Sequence, residues 1–192
     1  MTRPDLGAGI GLGGPIAVST PAPRPPARPT VRVLGVDPGA TIGWCVLDVG
    51  DSTGSYVSAG AVRAGAHGLG DDARSLLESV LAGARVTILA IERVEHVHGQ
   101  ARMGSSYAEG LARAGWVGGE IAQLGRARGL EVATVEAAVW RKLLVGSRTA
   151  PDAQIAAMVR VRIPTWPKRS NAHTRDAAGV ALWAGLRPWG AS

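Results

Sequence analysis

The chain has 192 residues, 46% of them apolar, with 21 Lys and Arg against 15 Asp and Glu and a single cysteine. That length suits one domain, and one cysteine excludes both a disulfide framework and a cysteine metal site, so Cys45 reads as a small buried residue in a reducing compartment. Charge interrupts the longest apolar stretches, as Arg85 does, which excludes a bilayer-spanning segment, and the net charge of +6 points to a polyanionic partner.

Residues 1–30 are Gly-rich and then Pro-rich, a composition that denies the backbone its ladder donors. They read as a disordered arm, and Asp5 among the glycines and prolines spoils a signal-peptide pattern. The folded unit is then 31–188, with 189–192 as a tail. Strands are expected over 31–37, 42–49 and 54–61, and such short turns between them make an antiparallel meander. A helix is expected over 69–81, where Leu76, Leu77, Val80 and Leu81 recur at helical spacing behind Asp71 and Asp72. The β-branched run 86–91 reads as a buried central strand, 99–106 as a polar loop, 107–128 as a Gly-interrupted helix and 130–135 as a fifth strand. Helices over 140–144, 151–161 and 174–186 complete the chain. The fold class is α/β, a five-stranded mixed sheet flanked by helices.

Two of these strands end on carboxylates, Val36-Asp37 and Ile91-Glu92. Asp before Pro38-Gly39 is a common turn former, yet a bare carboxylate closing a buried run is costly. If the two strands are parallel neighbours, the acids share one sheet edge, about 4.8 Å apart. Like charges at that spacing repel unless a cation stands between them. His173 and Asp176 lie three apart at a helix start, hence on one face. Asp37, Glu92, His173 and Asp176 can therefore converge. Such an oxygen-rich set suits Mg2+, with His173 tilting it toward Mn2+ tolerance, and two such ions hydrolyse phosphodiesters by activating water and stabilising the leaving oxygen. Each residue also has a plain structural role: Asp176 as a helix-start acid, His173 as an N-cap, and Glu92 as a partner for Arg93 or Arg175.

The positive charge is clustered. Between 141 and 175, Arg141, Lys142, Arg148, Arg160, Arg162, Lys168, Arg169 and Arg175 face one acid, Asp152. With Arg93, His96, His98 and Arg102 near the strand that ends on Glu92, they are the candidate DNA contacts. His96 and His98 also fit a solvated loop.

Leu34-Gly35-Val36-Asp37-Pro38-Gly39 with Gly43-Trp44, then Ala90-Ile91-Glu92, then His173-x-x-Asp176-Ala177 resemble the RuvC-type Holliday junction resolvases of the ribonuclease H-like superfamily. The resemblance spans nearly the whole chain beyond the arm. It implies the five-stranded mixed sheet of that superfamily, a homodimer, and Mg2+-dependent symmetric nicking of four-way DNA junctions. Asp37, Glu92, His173 and Asp176 would be the metal ligands. It also implies a cytoplasmic, nucleoid-associated protein with a branch-migration helicase as a candidate partner, and no membrane. Trp140-Arg141-Lys142 and the Arg-rich segment look closer to phage-borne or divergent members. The chain has no Phe, and Arg93-Val94-Glu95-His96-Val97-His98 stands where the bacterial family often has an aromatic wedge. The alternatives are a ribonuclease H-like nuclease of broader branch or flap specificity and a non-catalytic junction-binding protein of the same fold. Asp37-x-Gly39-x-Thr41 also resembles the first phosphate loop of actin-like ATPases, whose second phosphate loop is not found here.

Overall fold

The apolar runs of the first third pair as the expected meander: β1 (Val31–Asp37), β2 (Thr41–Val49) and β3 (Gly54–Arg63). Val31 faces Val49, and at the other end Asp37 faces Gly43. The computed structural model describes residues 29–93 and 105–187. The arm, the tail, most of the 99–106 loop, and His96, His98 and Arg102 therefore lie outside the described residues.

Two further strands, β4 (Ile88–Arg93) and β5 (Glu131–Glu136), extend the sheet in parallel, giving the order β3-β2-β1-β4-β5. Helices α1 (Asp71–Gly83) and α2 (Ser105–Ala127) lie against one face, and α3 (Ala137–Val145), α4 (Asp152–Arg162) and α5 (Ala172–Leu186) against the other. Central strands covered on both faces must be apolar on both sides, which is why Val33-Leu34 and Leu89-Ala90 read as continuous runs. Among the described residues no helix is long and apolar enough to cross a membrane.

The expected class and element order are found, with shifted boundaries. β4 runs from Ile88 to Arg93 rather than over 86–91, because its ladder with β5 starts at the Ile88–Glu131 pair and continues to pair Glu92 with Val135 and Arg93 with Glu136. α1 begins at Asp71 rather than 69, since Gly70, with φ 76°, turns the chain into the helix while Leu69 drops into the core. β3 extends to Arg63 because Thr41 and Ile42 continue its pairing.

One core layer joins Val33, Cys45 and Leu47 to Trp140, Ile155 and Leu182, and the other joins Leu34, Val36 and Ile42 to Leu77, Val117 and Ile121. Cys45 is fully buried, and burial pushes its thiol pKa up. The element that sets the site is α5, which touches β1, β2, β3, β4, α3 and α4. It comes this close because its contacts are small. A Cβ on Gly35 would fall 2.1 Å from the Ala177 carbonyl oxygen, and one on Gly43 would fall 2.2 Å from that of His173.

Candidate active site

Parallel pairing places Val36 beside Ile91, so the next residue on each strand, Asp37 and Glu92, leaves the sheet at the same end. The start of α5 arrives over that end. Its N-cap is Asn171, whose Oδ1 accepts the Thr174 N–H at 2.8 Å, while Thr174 Oγ1 donates to the Asn171 carbonyl at 3.0 Å. Thus His173 is not the cap. Its Nδ1 lies 2.9 Å from Asp37 Oδ2, and Gly43 beneath it leaves room for the helix backbone. The Asp37 carboxylate is therefore engaged across the fold.

The other face of the cluster comes from α3, which begins where β5 ends, at Glu136. Trp140 Nε1 donates to Glu92 Oε2 at 2.8 Å. Arg141 Nη2 lies 3.5 Å from Asp176 Oδ2. Arg93 bonds Glu136, and Arg175 donates to the Ser170 carbonyl at 3.1 Å. The structural roles weighed for Glu92 are thus taken up elsewhere.

Crowding these acids has an electrostatic cost. The Glu92 carboxyl is pushed up to about 7, first by burial and then by the Asp37 charge, with Asp176 adding and the Trp140 N–H and Arg141 opposing. Asp176 is pushed up to about 6, first by burial, then by Asp37, against Arg141. Asp37 is raised by burial, offset by the His173 hydrogen bond and by Arg141. Three mutually repelling carboxylates and one imidazole have the donor chemistry of a divalent-cation site. As the side chains stand, no three His, Cys, Asp or Glu groups among the described residues close on one point, and Arg141 supplies the nearest formal positive charge to Asp176.

These shifts set a pH dependence for the cation-free fold. The Glu92 pKa stands at about 7 against an ordinary 4.5. A raised carboxyl pKa means stability that is fully present below the ordinary value and lost as pH rises through the raised one. In EDTA the unfolding temperature should therefore fall as pH rises from about 5 to about 7.5, for a loss on the order of 3 kcal/mol. Glu92→Gln should reduce that slope to the share left by Asp176, whose carboxyl is raised in the same direction, and an added divalent cation should reverse it at high pH. Differential scanning calorimetry across pH checks both, and a flat wild-type profile would contradict the charge cluster.

The basic residues do not form one patch. Arg141 belongs to the carboxylate cluster, and its buried Nε has no partner among the described residues. Exposed Lys142 and Arg148 border a cleft with Val139, Leu143 and Trp183. Arg162 donates to the Ser52 carbonyl, in the β2–β3 turn at the opposite end of the sheet from Asp37. Arg169 lines a cavity of about 500 Å3 with Tyr56 and Trp166, just before α5, and Arg160 and Lys168 are exposed. Trp140 was not among the candidate site residues. The signal for it was a tryptophan expected just after the fifth strand, since a buried indole N–H needs an acceptor.

The family model described as crossover junction endodeoxyribonuclease RuvC matches residues 33–183, which contain all four candidate ligands. A crossover junction endodeoxyribonuclease RuvC of Methylocella silvestris is 30% identical over 158 residues, covering 81% of this chain and 86% of that protein. Its counterpart in Maricaulis maris is 33% identical over 156 residues, covering 80% and 89%. The fold resembles that of Thermus thermophilus RuvC in complex with a Holliday junction substrate, with a TM-score of 0.64 at 20% identity over 79% of this chain and 91% of that one. It also resembles the yeast mitochondrial Holliday junction resolvase Ydc2, with a TM-score of 0.55 at 14% identity over 84% and 81%. With the three carboxylates and His173 all inside the matched span, the chain belongs to the RuvC family of crossover junction endodeoxyribonucleases.

Proposed function

We propose that this protein resolves four-way (Holliday) DNA junctions by paired, symmetric nicking. The observation that carries this reading is the placement of Asp37, Glu92 and Asp176, from β1, β4 and α5, at one end of the sheet, near enough for the Asp37 charge to raise the other two carboxyls. RuvC family nucleases are metal-dependent. Here Asp37, Glu92, Asp176 and His173 would hold Mg2+, two ions in all, with Mn2+ as a substitute. The chemistry supplied at that site when it is loaded would be activation of a water and neutralisation of charge on the phosphate and leaving oxygen.

The chain's own groups do the rest. Burial shields the acids from water, so each cation contact is stronger than it would be at an exposed site. His173 holds Asp37 in one orientation through the 2.9 Å contact. Arg141, a fixed cation 3.5 Å from Asp176, would offset part of the charge of the cluster. Lys142, Arg148, Lys168 and Arg169 are exposed and would track the DNA backbone, giving salt-dependent binding. A twofold homodimer would set two sites against the two symmetry-related strands. A protein acting on such DNA would work with the nucleoid in the cytoplasm, and a branch-migration helicase would be a fitting partner.

The test is cleavage of a labelled synthetic four-way junction beside linear duplex, fork and flap, in Mg2+, Mn2+ or EDTA. Paired nicks on the junction alone, lost in EDTA, are expected. Equal cutting of forks and flaps would make the protein a broader branch nuclease. Tight binding without nicks in either metal would make it a non-catalytic junction binder.

A further inference from the structure

Trp140 closes the first turn of α3 and is fully buried, yet its one polar atom is directed at the active site. The ring is held from two sides. Gly179 of α5 faces it so closely that a Cβ there would lie 2.5 Å from Cε3, and the Arg141 guanidinium sits 5.2 Å from the ring centroid. A side chain so enclosed cannot change rotamer without opening the α3–α5 contact. Glu92, by contrast, is a flexible side chain whose acidic neighbours, Asp37 and Asp176, repel it. Its side-chain hydrogen bond comes from the indole, at 2.8 Å to Oε2.

We propose that Trp140 is a positioning residue for the cation site: its indole N–H takes one oxygen of Glu92 and thereby presents the other, Oε1, to the divalent ion. This rests on the metal-dependent reading of the site given above. The neighbouring residue acts in parallel, since Arg141 reaches Asp176, so two consecutive residues of α3 orient carboxylates on two different elements. A tryptophan serving only to fill the core would need its volume and not its N–H. Groups that orient metal ligands are commonly worth about 10–100-fold in metal affinity or activity.

The experiment replaces Trp140 in the full chain in two ways. Trp140→Phe removes the donor with some volume, while benzothienylalanine at the same position keeps the bicyclic shape and puts sulfur where the N–H was. Mn2+ binding to DNA-free protein is read by the electron paramagnetic resonance of free Mn2+, and junction affinity is measured in EDTA. Both variants should bind Mn2+ about 10–100-fold more weakly and keep junction affinity within about twofold. Half-maximal cleavage should need correspondingly more metal. If Trp140→Phe unfolds, the isosteric variant decides. Wild-type Mn2+ affinity in the benzothienylalanine variant would overturn the positioning role while leaving the metal reading intact. A wild-type protein that binds no Mn2+ would overturn both.

Discussion

Asp37→Asn is expected to slow junction cleavage by more than about a hundredfold, beyond what loss of an outer-sphere partner costs, while junction affinity in EDTA stays within about twofold. Asparagine keeps the shape of the side chain and can still meet His173 Nδ1, which now lies 2.9 Å away. What it removes is a charge at the centre of the cluster, because Asp37 raises the pKa of both Glu92 and Asp176. Two effects should therefore separate. The variant loses its cation and its chemistry, yet in EDTA at high pH it should be more stable than the wild type, since one of three repelling groups is gone. Single-turnover cleavage and thermal unfolding in EDTA measure the two. A variant that cuts at the normal rate would remove Asp37 from the site, and one that is also no more stable would remove the repulsion.

Gly35→Ala should destabilise the protein by about 3 kcal/mol or more, at the upper end of overpacking costs, and lower its unfolding temperature by roughly 6–12 °C. The new methyl carbon would fall 2.1 Å from the Ala177 carbonyl oxygen and 2.7 Å from the Ala181 nitrogen. These are backbone atoms, with no rotamer to turn aside, so the helix must lift off β1. Gly50→Ala is the control: nothing lies within 4 Å of a Cβ there, and a change within about 0.5 kcal/mol is expected. Equal melting of the two variants would mean that α5 can move freely over the sheet.

The sheet and its carboxylates were legible because the evidence for them is local. A buried run ending on Asp37 and another ending on Glu92 reveal strands and strand ends, and the His173-x-x-Asp176 spacing reveals a helix face. The parallel pairing of β1 with β4 was only a condition for bringing the two acids together, and the structure meets it. Groups placed by tertiary packing were harder to read. Arg141 was grouped with the DNA contacts because its neighbours in sequence are basic, whereas the turn of α3 aims it at Asp176. Arg162, in the same run, is carried by α4 to the far end of the sheet. Trp140 was read only as part of a short helix; its burial and its N–H bond to Glu92 depend on where α3 leaves β5, which no periodicity encodes. The start of β4 shifted because the ladder to β5, and not the apolar run, decides where a strand begins.

The closeness of α5 to the sheet also bears on how such a protein can diverge. His173 and Asp176 ride on the same helix whose Ala177 and Ala181 fit against Gly35. A substitution that retuned the site by sliding this helix would meet the folding penalty before it met any functional gain. Change that leaves the fold intact is thus channelled away from α5 and toward surfaces that can change at small cost, such as exposed Val139, Lys142, Leu143 and Arg148 on and after α3. The packing holds the carboxylate cluster in place, and the outer surface is left free to drift.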